Sequence, residues 1–203
     1  MGKSYQVEPR QIRQLVWARG HMTVLEVFKI AAWKSVKGMG SLTENSEHDI
    51  VSLTAAAMRQ VAPWRGSPVV GMNSNKQWLQ WQDTASWAIG SNRSPKSGLM
   101  ELSGVGYPMA TAILAILDPE VWPVIDQWSV QTVFGLRPNG RPHPTGRWQR
   151  AVAYAAFARH LATNGPAFWP SAVTIHDLDQ RAMQASMPGG APPAGWTPIP
   201  LPP

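Results

Sequence analysis

Residues 102–126, LSGVGYPMATAILAILDPEVWPVID, constrain this chain more than any other stretch. Gly104 and Gly106 flank one apolar residue, Val105, so the backbone there bends sharply and approaches a ligand without side-chain obstruction. Pro108 suits the first turn of a helix, where its missing N–H costs nothing. An apolar helix follows, and a proline-bounded extended stretch then delivers Asp126. Hairpin amides at a helix N-terminus form an anion site, and a backbone phosphate is the anion that suits it.

The remaining segments read as helices. Residues 9–19 run from Pro9 to Gly20, and 22–37 place Leu25, Phe28, Ala32 and Val36 on one stripe before Gly38 and Gly40 break the pattern. Ser46 and Asp49 have the spacing of a capping box, opening a helix to about 61 that Pro63 stops. Residues 64–75 look like loop, and 76–89 carry Trp78, Trp81, Ala85 and Ala88 at helical spacing. A short helix before 102 pairs with one over 108–117, Asp126 caps a helix to about 134, and 146–163 and 170–187 supply two more. With no alternating strand pattern and no internal repeat, the expected fold is all-α. The domain spans 1–187, with the hairpin at about 96–117. Residues 188–203 hold seven prolines and three glycines and predict no regular structure, although Trp196 and Leu201 offer contacts across the surface.

Charge points to a polyanionic partner: 18 Lys and Arg against 12 Asp and Glu give +6 over 203 residues. The absence of cysteine excludes disulfides and thiolate metal sites. The N-terminal residues lack an apolar signal core, and no apolar run is long enough to span a bilayer, which predicts a cytoplasmic protein with no membrane partner.

The segment from Leu102 through Gly104, Val105, Gly106, Ala110 and Ala112 to Pro123, Val124 and Asp126 resembles the helix-hairpin-helix DNA glycosylases, the superfamily of endonuclease III, the adenine glycosylase and the alkyladenine glycosylases. There a Leu-x-Gly-Val-Gly hairpin leads into a small-residue helix and then a Pro-Val-Asp segment carrying the catalytic aspartate. The resemblance implies a compact helical domain that binds double-stranded DNA, flips a base and hydrolyses its N-glycosidic bond. It also implies phosphate contacts from Gly104, Val105, Gly106 and Met109, and catalysis by Asp126. The iron–sulfur cluster of some relatives is excluded, since the chain has no cysteine. Pro108 stands where bifunctional members carry their Schiff-base lysine, which implies hydrolysis by water without lyase activity; Lys34 is the one other lysine considered for that role.

Each candidate has a plainer role beside the chemical one. Asp126 suits stabilisation of the cationic sugar in the transition state, and it equally suits a helix cap; one carboxylate can do both. Glu26 and Lys34 are charged residues on a mostly apolar helix, placed either for function or to reach solvent. Glu26 precedes Asp126 by 100 residues (126 − 26), resembling the acid that protonates the base in the adenine glycosylase. Lys34 lies on the side of Val27 and Ile30. Eleven tryptophans are mostly core material, with Trp33 and Trp128 best placed to stack on a flipped base. Arg137, Arg141 and Arg147, with His143, form a basic loop that is either solvated or clamps phosphates. His48, His143, His160 and His176 show no ligand spacing, so no metal and no cofactor is expected.

The expected function is therefore a monofunctional DNA glycosylase, acting in base-excision repair or in defence against phage DNA with modified bases, with no obligate protein partner. The alternatives are a non-enzymatic helix-hairpin-helix DNA-binding module, and a helical scaffold whose PIPLPP tail recruits a partner through polyproline II recognition.

Overall fold

A computed structural model describes residues 9–34, 39–90, 98–135 and 150–202. These residues form nine α-helices and two short 3-10 turns, with no strand among them. The helices are α1 (Pro9–Arg19), α2 (Val24–Lys34), α3 (Met39–Leu42), α4 (Glu47–Val61), α5 (Asn75–Ile89), α6 (Tyr107–Leu117), α7 (Ser129–Phe134), α8 (Ala151–Phe168) and α9 (Ile175–Ser186). The class is all-α.

α6 is the axis. Of its eleven residues only Pro108 is not buried, because α1, α2 and α5 pack around it. A helix apolar on all sides is stable only when every side is covered. α1 closes its C-terminal end: Arg13 and Trp17 donate to the carbonyls of Ile116 and Leu117, which have no partner within the helix. Asp118 continues the closure, accepting from the amides of Gly66 and Glu120. Beside α6 lies an aromatic centre in which Trp81 stacks on Trp122 at 4.9 Å and lies 5.0 Å from Tyr154. Trp81 donates to the Val121 carbonyl and Tyr154 to that of Pro123, so the polar atoms of both rings are satisfied inside the core.

Both Ser46 and Asp49 close a capping box on α4, as their spacing predicts. A second box, Thr174 with Asp177, opens α9. The expected stripe on α2 is corrected. Leu25 and Ala32 face solvent, and the buried face is Glu26, Val27, Ile30 and Ala31. Gly40 lies inside α3 rather than ending a helix; residues 35–38, including Val36 and Gly38, lie outside the described residues. α8 continues past 163 and takes Pro166 into its last turns.

Residues 188–202 hold no helix, yet they are anchored. Trp196 donates to the Thr132 carbonyl and packs among His160, Phe168 and Trp169, and the Ile199 amide bonds the Val133 carbonyl. Trp196 belongs to the same apolar cluster as the helices.

Gly90 and Gly98 bring the two ends of the 91–97 connection together. A Cβ on Gly98 would lie 2.5 Å from the Gly90 nitrogen and 2.6 Å from the Ile89 carbonyl carbon. Both obstacles are backbone, so neither can rotate away. Gly98→Ala should lower the unfolding free energy by about 1–3 kcal/mol, the usual cost of overpacking, read from the urea midpoint. An unchanged midpoint would contradict the close approach.

Candidate active site around Asp126

The segment Trp122–Asp126 is buried and belongs to neither a helix nor a strand, so no regular ladder completes its hydrogen bonds. Its polar groups are met one by one. The Val121 and Trp122 amides bond the Asp118 carbonyl, the Val124 amide donates to Asp179 Oδ2 at 2.6 Å, and the Ile125 amide to Thr111 Oγ1 at 3.3 Å. The Asp126 amide donates to Ser129 Oγ at 3.1 Å. Three separate elements therefore set the height and direction of Asp126.

Asp126 is both a cap and an ion-pair partner. Its Oδ1 accepts from the amides of Trp128 and Ser129, each at 2.9 Å, at the entrance to α7. Its Oδ2 lies 2.7 Å from Lys34 Nζ. The Lys34 and Asp126 side chains are only 16% and 12% exposed, so the pair is screened little by solvent. Lys34 is the last residue of α2, where the helix dipole also favours a cation. It sits on the buried side that Val27 and Ile30 define, which is why it reaches Asp126 across 92 residues of sequence.

Trp33 precedes Lys34 and is exposed, its ring edge-on to His176 at 6.2 Å. Trp128 is half-buried beside Asp126. Of the predicted site residues the structure brings Lys34 and Asp126 into contact, with Trp33 and Trp128 their neighbours in sequence. Glu26 is not among them. Its carboxylate bonds the Thr23 amide and hydroxyl and pairs with Arg19, while Thr23 Oγ1 accepts from the Glu26 amide. That is a reciprocal cap on the first turn of α2. Glu26 and Lys34 are eight residues apart on this helix (34 − 26), which separates them by about 12 Å along the axis. The structure therefore gives Glu26 a capping role at the far end of α2 from Asp126.

The glycine turn precedes α6. Gly104 has φ +80°, which favours glycine, and Asn45 holds the turn from outside by bonding both the amide and the carbonyl of Ser103. Gly106 is exposed and stands at the N-cap of α6. The Val105 side chain is buried and its amide bonds the Leu102 carbonyl at 3.0 Å, while the Met109 amide bonds the Gly106 carbonyl at 3.0 Å. Arg137, Arg141 and Arg147, with His143, lie outside the described residues.

The sequence predicts the helix that becomes α9 but not its place beside the Asp126 segment. Asp179 accepts from His176 Nδ1 at 2.8 Å as well as from Val124. Burial pushes the Asp179 carboxyl up to about 6, against the pull of His176. Burial alone would lower the His176 imidazolium, but the adjacent Asp179 charge and hydrogen bond outweigh it and raise the imidazolium above its ordinary value. A signal was present: Asp179 is an acid on the face that Ile175, Leu178 and Ala182 bury.

Among the described residues no group of three or more His, Cys, Asp or Glu is placed to hold a metal ion, and no helix is long and apolar enough to cross a membrane. A groove of about 510 Å³ between α5 and α8, lined by Trp78, Leu79, Gln82, Val152 and Arg159 among others, shares no residue with the Asp126 neighbourhood. It offers no acid or base to do chemistry. In comparisons with protein-family models, with curated proteins and with solved structures, nothing matches this chain.

Two measurements test this electrostatic layout. Lys34→Ala and Asp126→Ala, combined in a double-mutant cycle by urea unfolding, should show a coupling of about 0.5–3 kcal/mol, since the groups touch in a largely buried setting. A coupling near zero would mean the ion pair is not formed. The second concerns pH. The folded-state pKa values of Asp179 and His176 both lie above their unfolded values, so the folded chain binds these protons more tightly. That stabilisation is complete below the unfolded values and is lost as pH rises through about 6 for Asp179, then through the raised value of His176. The stability gap between wild type and an Asp179→Asn/His176→Gln double variant should shrink from about pH 5 to about pH 8. A gap that widens over that range would reverse the sign.

Proposed function

We propose that this chain is a monofunctional DNA glycosylase: it binds double-stranded DNA, flips a damaged or modified nucleotide, and hydrolyses the base–sugar bond to leave an abasic site. The observation that carries the reading is the Lys34–Asp126 pair, held at 2.7 Å on a pinned, buried segment that follows a glycine turn. An ionised carboxylate offers about four acceptor positions. Two amides use Oδ1 and Lys34 uses one position on Oδ2, which leaves a second position on Oδ2 for a water or for the sugar.

In this mechanism the C1′–N bond breaks with its electron pair departing on the base, and positive charge grows on the sugar. A carboxylate fixed in a site of low dielectric stabilises that charge. Asp126 also orients the attacking water and accepts its proton. Lys34 keeps Asp126 ionised and in place before substrate arrives. Flipping costs a few kcal/mol, and stacking of the extruded base on Trp33, which is exposed next to Lys34, offsets part of it. The amides of Gly104 and Gly106 make no hydrogen bond among the described residues, and the exposed N-cap of α6 is the place for a backbone phosphate. With Pro108 on α6 in place of a lysine, water is the nucleophile. The substrates are bases that stack or pair poorly, either repair lesions or hypermodified phage bases.

The test is an abasic-site assay on duplexes containing uracil, oxidised, alkylated or glucosylated bases. Strand cleavage that requires alkali is expected on one of them, reduced at least about 100-fold in Asp126→Asn. Borohydride should trap no covalent enzyme–DNA adduct. A trapped adduct lost in Lys34→Ala would convert the reading to a lyase. Salt-sensitive DNA binding with no base released from any duplex would leave a DNA-binding module instead.

A further inference from the structure

α9 presents a second buried charge pair to the segment that carries Asp126. Asp179 Oδ2 is shared between the Val124 amide and His176 Nδ1, and its side chain is 5% exposed. Val124 lies two residues before Asp126 (126 − 124). On its other side, the His176 ring meets Trp33, the neighbour of Lys34. His176 is itself held, by its amide on the Pro119 carbonyl and by Gln180 at Nε2. One helix thus contacts both segments that carry the pair, the backbone leading to Asp126 at Val124 and the end of α2 at Trp33.

The charges are linked as well. Asp126 acts on Asp179, while Lys34 and Asp177 act on His176, and Tyr154 from α8 feels Asp179. If the Val124 amide needed only an acceptor, an asparagine or threonine would serve at a lower desolvation cost. A carboxylate paired with a histidine makes a stronger, charge-assisted anchor. We propose that Asp179 and His176 are positioning residues, a clamp from α9 that sets where Asp126 stands relative to Lys34. Its effect on rate rests on Asp126 being the acting carboxylate; the clamp itself does not.

The test therefore begins without substrate, on the full chain. Amide exchange at Val124 and the carbon-13 titration of the Asp126 carboxyl are followed by NMR in wild type, Asp179→Ala, Asp179→Asn and His176→Gln. Losing a charge-assisted hydrogen bond should speed Val124 exchange by about 10- to 100-fold in Asp179→Ala and displace the Asp126 midpoint. Asp179→Asn keeps an acceptor oxygen without the charge and should recover only part of the protection; full recovery would mean that an acceptor alone suffices and would overturn the charge-assisted clamp. His176→Gln removes the ring that shares Asp179 Oδ2 and should also speed Val124 exchange, by less than Asp179→Ala does; it decides the matter if Asp179→Ala does not fold. Unchanged Val124 exchange and unchanged Asp126 titration in a folded variant would overturn the clamp. With a cleavable duplex in hand, Asp179→Ala should lower kcat with KM unchanged. Absence of turnover by wild type on every duplex sinks the glycosylase reading, while the NMR result decides the clamp independently.

Discussion

A stretch of irregular backbone buried inside a helical protein is the constraint around which the rest is arranged. The Val121 and Trp122 amides turn back to the Asp118 carbonyl, but those of Val124, Ile125 and Asp126 have no such local partner; in a sheet the neighbouring strand would satisfy them, and in a helix the chain would satisfy its own. Here neither is available, and an orphaned buried amide costs about as much as a hydrogen bond is worth, about 1–3 kcal/mol. The solution is a set of side chains from four directions: Thr111 from α6, Tyr154 from α8, Asp179 from α9 and Ser129 from the start of α7. Pro123 helps by having no amide to satisfy, so its carbonyl alone needs Tyr154. The relative placement of these helices is fixed by what the segment needs, and Asp126 inherits that rigidity.

Rigidity matters because the chemistry proposed for Asp126 is electrostatic. A carboxylate that must reorient during a reaction loses much of its advantage to reorganisation, whereas one fixed beforehand does not. Two amides on Oδ1 and an ammonium on Oδ2 hold Asp126 by both oxygens. Burying two charge pairs close together is a poor way to gain stability, since hydrophobic packing of similar volume usually does as well. Such groups persist in sites where the charge has a use. The Lys34–Asp126 and His176–Asp179 pairs share one region, and the aromatic centre around Trp81 adjoins the same buried segment without adding a charge.

Where local chemistry decides the outcome, the sequence could be read directly. The glycine turn, the apolar run of α6, the Ser46–Asp49 box and Asp126 as a cap depend on near neighbours along the chain, and each stands where its spacing places it. Tertiary packing overrode the pattern elsewhere. On α2, Leu25 looked like part of the inner stripe because it is large and apolar, yet it is exposed, while Phe28 is only partly buried against the core. The face turned inward carries Val27, Ile30 and Ala31, and the charges beside them, Glu26 and Lys34, find partners in Thr23 and Asp126. Glu26 drew attention by its distance from Asp126 in sequence, yet a cap three residues away, at Thr23, is a sufficient account of it. The part played by α9 needed the fold: Val124 and Asp179 are 55 residues apart, and nothing in the spacing joins them.

The difference between a water-using and an amine-using enzyme comes down to where the lysine amine stands. On α6, at Pro108, no amine exists. On α2 an amine does exist, but it is bound to the carboxylate as an ammonium, which has no lone pair to attack C1′. To become a nucleophile Lys34 would have to pass a proton to Asp126, and that transfer would neutralise the carboxylate just as positive charge builds on the sugar. Water carries no such penalty, because its proton is released only after the sugar cation has begun to form. The arrangement in which Lys34 stays charged and Asp126 stays anionic therefore favours hydrolysis, and it does so through the same contact that holds the carboxylate in place.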